Sequence, residues 1–210
     1  MDASGSESLT YHMSTALLDT RPIIISGPSG VGKGTLIQRL KDNHPTIFSS
    51  AVSHTTRQPR PGEVEGVAYF FRSPPEMYRM IMQKEFVEHT YFSGNYYGTS
   101  KNAMAKLMKE GLAPILDIEM EGVKKIQASE LVARYVFLKP PSLETLEVRL
   151  RARGTEDEAS IAQRLAQAKL ELEFAETGVH DIIIVNDDID EAYQQLEDFV
   201  FKRQVAPRLR

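Results

Sequence analysis

The 210-residue sequence contains no cysteine. Disulfides, thiolate zinc sites and cysteine nucleophiles are thereby excluded, and the composition fits a reducing compartment. No two of the five histidines, His12, His44, His54, His89 and His180, share a metal-ligand spacing, which argues against a histidine-based metal site. Long hydrophobic runs are missing as well. The longest purely aliphatic ones, Ile23–Ile25 and Ile182–Val185, are far too short to span a bilayer. The opening MDASGSESLTYH has neither a basic start nor an apolar stretch. Residues 1–20 therefore read as a flexible, solvated tail and not as a secretory signal. The closing APRLR shows no lipidation or retention signal. With a net charge of −4, no global field draws the chain to nucleic acid or an anionic membrane, so any basic surface is local.

What is present is ordinary globular material, 41% hydrophobic and 26% charged, enough for one continuous core. There is no internal repeat and no low-complexity linker. Short β-rich runs alternate with helical stretches, the signature of a parallel sheet covered by helices. Pro22–Ser26 is too apolar for one wet face and is expected as a central strand. A helix over Lys33–Lys41 follows, with Leu36, Ile37 and Leu40 on one face. Ala113–Glu119, Arg134–Lys139 and His180–Asn186 are expected as buried strands, each preceding a helix: around Val123, after Pro141 and after Asp188. Two regions break the rhythm. Ser50–Thr99 is rich in aromatic and β-branched residues around a helix near Met77–Gln83, which suggests a small mixed-sheet insert. Arg149–Leu165 reads as two helices meeting at Gly154, with Thr155 and Glu158 as a capping box for the second.

The loop GPSGVGKGTL, Gly27 to Leu36, has the Gly-x-x-x-x-Gly-Lys spacing. Glycines let the backbone approach phosphate oxygens, amide N–H groups point inward, the helix N-terminus adds positive potential, and Lys33 neutralises charge. A buried strand before it and an amphipathic helix after it supply the required context. Gly34 stands where Ser or Thr is usual, so the hydroxyl for a magnesium ion falls to Thr35, or water and substrate phosphates hold most of the ion. In SHTTRQPRPGE, Arg57 and Arg60 could converge on one phosphate, although loop arginines are more often surface charge. FSGNYYGTS offers Tyr96 and Tyr97, which either bind phosphate or pack. Glu88 alone reads as an exposed strand carboxylate. Asp117 and Glu119 end a buried strand at the carboxyl edge of the sheet, where ligands bind in open α/β folds. Arg149 and Arg153 are i,i+4 neighbours in an arginine-rich corner that also holds Arg151 and Arg164, and an acidic run follows at once.

Taken in order, GPSGVGKGTL, SHTTRQPRPGE, FSGNYYGTS, ILDIEMEGV, RARGTE and VNDD strongly resemble the guanylate kinase family over about Arg21 to Lys202. The resemblance implies an α/β P-loop NTPase three-layer core with a parallel sheet, a small mixed-β GMP-binding insert and a helical lid. On this reading 21–210 is one domain: core 21–51, 105–143 and 167–204, insert about 52–104, lid about 144–166. It further implies transfer of the ATP γ-phosphate to GMP, with dGMP as a further acceptor, and magnesium as the cofactor. Gly27, Pro28, Ser29, Gly30, Val31, Gly32, Lys33, Gly34 and Thr35 would bind ATP, with Asn186 at the adenine. Ser53, Arg57, Arg60 and Tyr69 would grip the GMP phosphate, helped by Tyr97 beside Gly98. Glu88, Thr99 and the acidic positions Asp117 and Glu119 would read guanine, Asp117 also serving magnesium through water. Arg149, Arg153 and Arg164, with Lys33 and Arg57, would serve transfer. Thr99 replaces the commoner Ser, and Glu119 the commoner Asp, which lengthens the arm.

The chemistry agrees independently. Guanine presents N1–H and N2–H₂ donors, so a buried carboxylate at Glu88 can accept two bonds that adenine lacks on that edge. The acceptor phosphate is already anionic near neutral pH, so no general base is needed. Lid closure would exclude water. The expected protein is cytoplasmic, a monomer with dimerisation left open, and has no nucleic-acid or membrane partner. The alternatives are a non-catalytic guanylate kinase-like protein-binding module and a kinase for another base.

Overall fold

Three consecutive isoleucines leave a strand no polar face to turn to water, so it must be covered on both sides. The computed structural model describes residues 19–92, 94–152, 154 and 157–202, and in it Ile23, Ile24 and Ile25 are fully buried. The first half runs β1 (Ile23–Ser26), α1 (Lys33–Asn43), β2 (Phe48–Ser50), β3 (His54–Thr55), β4 (Phe70–Phe71), α2 (Pro74–Met82), β5 (Phe86–Phe92), β6 (Asn95–Ser100) and α3 (Lys101–Lys109). The second runs β7 (Ala113–Asp117), α4 (Met120–Gln127), β8 (Arg134–Lys139), α5 (Leu143–Ala152), α6 (Glu158–Ala175), β9 (Ile182–Val185) and α7 (Ile189–Phe201).

The main sheet has the order β2-β7-β1-β8-β9, and every pairing in it is parallel. β1 is its central strand. Side chains alternate across the pleat, so Ile23 and Ile25 meet Leu36 and Leu40 of α1, Leu146 and Leu150 of α5, and Leu196 of α7. Ile24 meets Met104 of α3 with Val123 and Ile126 of α4 on the other face. Burying each such side chain is worth about 1.5–3 kcal/mol. The result is helix, sheet and helix in three layers. Because the strands are parallel, the loops that follow β1, β7, β8 and β9 all open at one edge. Leu146 and Leu150 place α5, expected within the lid, against this main core.

A second, mixed sheet of order β4-β3-β6-β5 projects from the first. Here β3 pairs parallel to β4 and antiparallel to β6, and β5 and β6 form an antiparallel pair. Met77 and Met80 of α2 pack on Phe86 to give this sheet its own small core. A reciprocal capping box of Ser73 and Glu76 starts α2, a signal the sequence reading did not use. The expected insert limit near 104 falls inside α3, a helix absent from that reading. The cap of α6 also differs from expectation. Asp157 is the N-cap, and its carboxylate accepts from the Ser160 amide at 2.8 Å. Glu158 is thus the first helical residue and cannot occupy the third position that a box with Thr155 needs; Thr155 lies outside the described residues.

Candidate active site

The loop between β1 and α1 is built around its lysine. Lys33 Nζ donates to the Gly27 carbonyl at 2.6 Å and the Pro28 carbonyl at 3.4 Å, and lies 3.8 Å from Asp117 Oδ1. Gly27, at φ +137°, runs so close to β8 that a Cβ there would stand 2.3 Å from the Leu138 carbonyl oxygen. No other residue fits. Gly34 is the opposite case, with nothing within 4 Å of a Cβ, so it fills no steric need. Thr35 is exposed in the first turn of α1.

Sequence reading placed Asn186 at the adenine of a bound nucleotide. The structure gives its side chain another task. Asn186 is 4% exposed, and its Nδ2 donates to the Val31 carbonyl at 2.7 Å, 2.4 Å from where a Gly32 Cβ would be. One amide N–H fastens the loop to the end of β9, which leaves the second N–H and Oδ1 for the adenine contact expected there. The arginine corner divides three ways. Arg149 donates to the Asn186 and Asp187 carbonyls at 2.9 and 3.4 Å. Arg151 is bound by Glu147 and Glu158 on the solvated side. Arg164 Nη1 donates to Ser29 Oγ of the loop at 2.6 Å. Arg153 lies outside the described residues.

The insert gathers the other expected residues. Glu88 sits on β5 beside a bulge and is 5% exposed, so the exposed-strand alternative is set aside. Its Oε1 accepts from the Thr99 amide at 2.9 Å, and Thr99 Oγ1 lies 3.0 Å from Ser53 Oγ. Burial pushes the Glu88 carboxyl up, opposed by its bonds to Thr99 and the charge of Lys125. Arg57 donates from Nη2 to Glu63 Oε1 and from Nη1 to the Gln58 carbonyl, both at 2.8 Å. Its guanidinium also lies 5.4 Å from the centre of the Tyr69 ring, and Tyr97 hydrogen-bonds to it. The same Glu63 accepts from the Arg60 amide at 2.8 Å, while the Arg60 side chain is exposed. Gly98 lies opposite His54 on β6, with Phe86 2.9 Å from where a Cβ would stand; its part is close strand packing. Sequence reasoning missed Glu63, although its carboxylate sits three residues after Arg60 in the same turn.

Two cavities meet at one residue. The first, about 250 Å³, is lined by Ser29, Gly32, Lys33, Thr35 and Asp117. The second, about 180 Å³, is lined by Ser53, Val67, Tyr69, Ile115 and Asp117. Asp117 ends β7 in register with Ile25 of β1, so parallel pairing sets it beside the loop. Its side chain is 46% exposed because it floors an open cleft. The crowded protein around it still raises its carboxyl, with Lys33 opposing. Glu119, the N-cap of α4, is raised in the same way against Lys33 and Arg164.

A lysine-bearing glycine loop at the head of a parallel sheet, facing an anion-binding insert across a shared carboxylate, defines a nucleotide kinase of the phosphate-loop class. The family described as guanylate kinase matches residues 19–203. The chain belongs to the guanylate kinase family. The guanylate kinase of Schizosaccharomyces pombe is 49% identical over 181 residues, 86% of this chain and 90% of that protein. That of Homo sapiens is 46% identical over 179 residues, 85% and 91%. Among solved structures, guanylate kinase from Anaplasma phagocytophilum superposes with a TM-score of 0.65 at 28% identity, covering 88% of this chain and 87% of that one. The SH3-kinase fragment of tight junction protein 3, at 15% identity and a TM-score of 0.50, shares the fold.

Proposed function

We propose that the chain catalyses ATP-dependent phosphorylation of GMP, with dGMP as a further acceptor, giving ADP and GDP. The observation that carries this reading is the shared wall at Asp117, which lines both the loop cavity and the insert cavity. Two phosphate chains entering from opposite sides can line up end to end. A GMP phosphate oxygen attacks the γ-phosphorus of ATP, and the bond from that phosphorus to the bridging oxygen of ADP breaks. Positioning and charge neutralisation supply the catalysis, since the acceptor is already an anion.

The loop amides and Lys33 hold the donor phosphates. Arg57 exchanges Glu63 for the acceptor phosphate, with Arg60, Tyr69 and Tyr97 around it. Glu88 accepts from guanine N1–H and N2–H₂ while Thr99 and Ser53 fix its direction, and Glu119 stands nearby at the α4 cap. Arg164 and Arg149 bring the α5–α6 arm to the loop from outside, with Arg153 between them in sequence. Asn186 positions the loop. Hard oxygens at Thr35 and Asp117 line the loop cavity, and no group of three or more His, Cys, Asp or Glu side chains among the described residues could hold a metal alone. That donor set suits magnesium bound chiefly by phosphates and water, where it would neutralise charge on the transferred group.

A monomer suffices for this chemistry, because one chain lines both cavities. The absence of cysteine supports a cytoplasmic setting, and no helix among the described residues is long and apolar enough to cross a membrane. ADP release measured with GMP, dGMP, AMP and UMP, with and without magnesium, tests the assignment. GMP-dependent turnover that needs the metal is expected; equal turnover with AMP would remove Glu88 from base selection.

A further inference from the structure

Residues Pro28 to Val31 make a tight turn at the head of the phosphate loop. The Val31 amide donates to the Pro28 carbonyl at 3.1 Å, and the third position takes a φ of +91° at Gly30, which glycine adopts without strain. Ser29 is the second residue of this turn, so a backbone with little freedom aims its side chain. The same Pro28 carbonyl accepts from Lys33 Nζ at 3.4 Å. One short turn thus carries the loop's lysine on one residue and a hydroxyl on the next, and Ser29 and Lys33 both line the cavity of about 250 Å³. Sequence reading put Ser29 among the ATP-binding residues without a task for its side chain.

The α5–α6 arm meets this turn at two consecutive residues. From α5, Leu150 Cδ2 lies 2.9 Å from where a Gly30 Cβ would stand, and Leu146 Cδ1 lies 3.4 Å from it. From α6, Arg164 Nη1 donates to Ser29 Oγ at 2.6 Å. Ala168, one turn further along α6, is buried in the main core and Leu165 packs against that core, so the helix behind the arginine is held. Its guanidinium ends a long side chain with many rotamers and needs a partner to keep one direction. A charge-assisted bond to a hydroxyl on a rigid turn gives it that direction. A guanidinium has five N–H donors, so a bond through Nη1 orients the group without using it up.

We propose that Ser29 is a positioning residue for phosphoryl transfer: its hydroxyl accepts from Arg164 and fixes that guanidinium against the wall of the donor cavity, on the turn that also bears Lys33. The loop amides and Lys33 hold the donor phosphates, while the Ser29 hydroxyl turns to the arm. The second cation is thereby in place before charge develops on the transferred group, and no side-chain freedom is lost at the moment of reaction. Ser29 then matters to the transition state and not to the binding of either nucleotide. The inference rests on the reading of Arg164 as a transfer residue.

The test is a double-mutant cycle on the full chain, with Ser29→Ala, Arg164→Met and the pair of them, and Ser29→Thr as the variant that keeps the hydroxyl. Steady-state kinetics and thermal unfolding are measured for each. Ser29→Ala is expected to lower kcat about tenfold, because a cation left to wander stabilises less of the transition state. Both the ATP KM and the GMP KM stay within about twofold, and the melting temperature stays within roughly 2–4 °C of the parent's. Ser29→Thr keeps most of kcat. In the Arg164→Met background, Ser29→Ala changes kcat by less than about twofold, since the group it positions is gone. A full further tenfold loss in that background overturns the inference, because Ser29 then acts on the nucleotide and not on Arg164. A raised ATP KM in Ser29→Ala, or undiminished kcat there while Arg164→Met has lost it, overturns it as well. If Arg164→Met itself keeps full kcat, the transfer role of Arg164 fails and the inference goes with it.

Discussion

Glu88 shows how a single residue is fixed by its surroundings. Any acid can accept hydrogen bonds, but one held by the Thr99 amide in a buried strand keeps its direction and rejects a base without donors. Replacing it by Gln removes charge-assisted acceptance worth about 1.5–3 kcal/mol, so GMP kcat/KM should fall by about ten- to hundredfold. The stability consequence runs the other way. The folded carboxyl is raised above its unfolded value of 4.5, so stability is lost as pH climbs from there through the raised value. Glu88→Gln is therefore expected to melt at or above the parent temperature at pH 7 while losing base preference, as calorimetry beside the acceptor panel will read. Arg57 belongs to the same scale. Arg57→Ala should raise the GMP KM at least about tenfold, the effect of losing a charged phosphate contact, and leave the ATP KM near the parent's. A defect confined to ATP would reverse the two sites.

At the scale of elements, the loop between β1 and α1 separates glycines needed for geometry from one that is not. Gly27→Ala forces a Cβ onto the Leu138 carbonyl at 2.3 Å and strains φ +137°, which costs at least about 1–3 kcal/mol for the backbone alone. It should abolish ATP-dependent turnover and lower the melting temperature together. Gly34→Ser meets empty space and gains about 0.5 kcal/mol or less of helix propensity, so both readouts should stay near the parent's. If Thr35 supplies the hydroxyl, Thr35→Ala in the Gly34→Ser background regains magnesium-dependent turnover that Thr35→Ala alone has lost. A single Thr35→Ala with normal turnover makes Thr35 an ordinary helix residue. The α6 helix belongs to the same scale, since Arg164 on it donates to Ser29 of the loop.

Across the whole molecule, two imidazoles link stability to pH. His54 is enclosed by Phe70 and Phe86 and His180 by Phe137 and Phe174. Burial lowers each from 6.5 to about 4. Both rings are neutral in folded and unfolded chains above pH 6.5, so their full contribution is present there. As pH falls through that value the unfolded chain takes up protons first, and stability drains away until the folded rings protonate near pH 4. Each contributes about 3 kcal/mol to that loss. His54→Phe, which keeps the ring packing, should narrow the difference in unfolding free energy between pH 7 and pH 4.5 by about 2–3 kcal/mol. Denaturant titrations at the two pH values measure it, and an unchanged difference means the ring is protonated in the folded state.

Much of this architecture could be read directly. The isoleucine run over Ile23–Ile25 called for a central parallel strand, the spacing of Gly27, Gly32 and Lys33 called for a phosphate loop, and Arg134–Lys139 matches β8 residue for residue. These follow from local rules, periodicity and backbone conformation, which a sequence states outright. The partners of polar side chains are decided by elements distant in the chain. Asn186 fastens Val31 across 155 positions, Glu88 is buried where α4 packs on β5 with Gly122 beside its carboxylate, and Arg164 on α6 reaches Ser29 across 135 positions. The order of residues determined which groups were available; the packing of α6, β7 and β9 around the loop decided which of them meet, because charge and hydrogen bonding act through space and not along the chain.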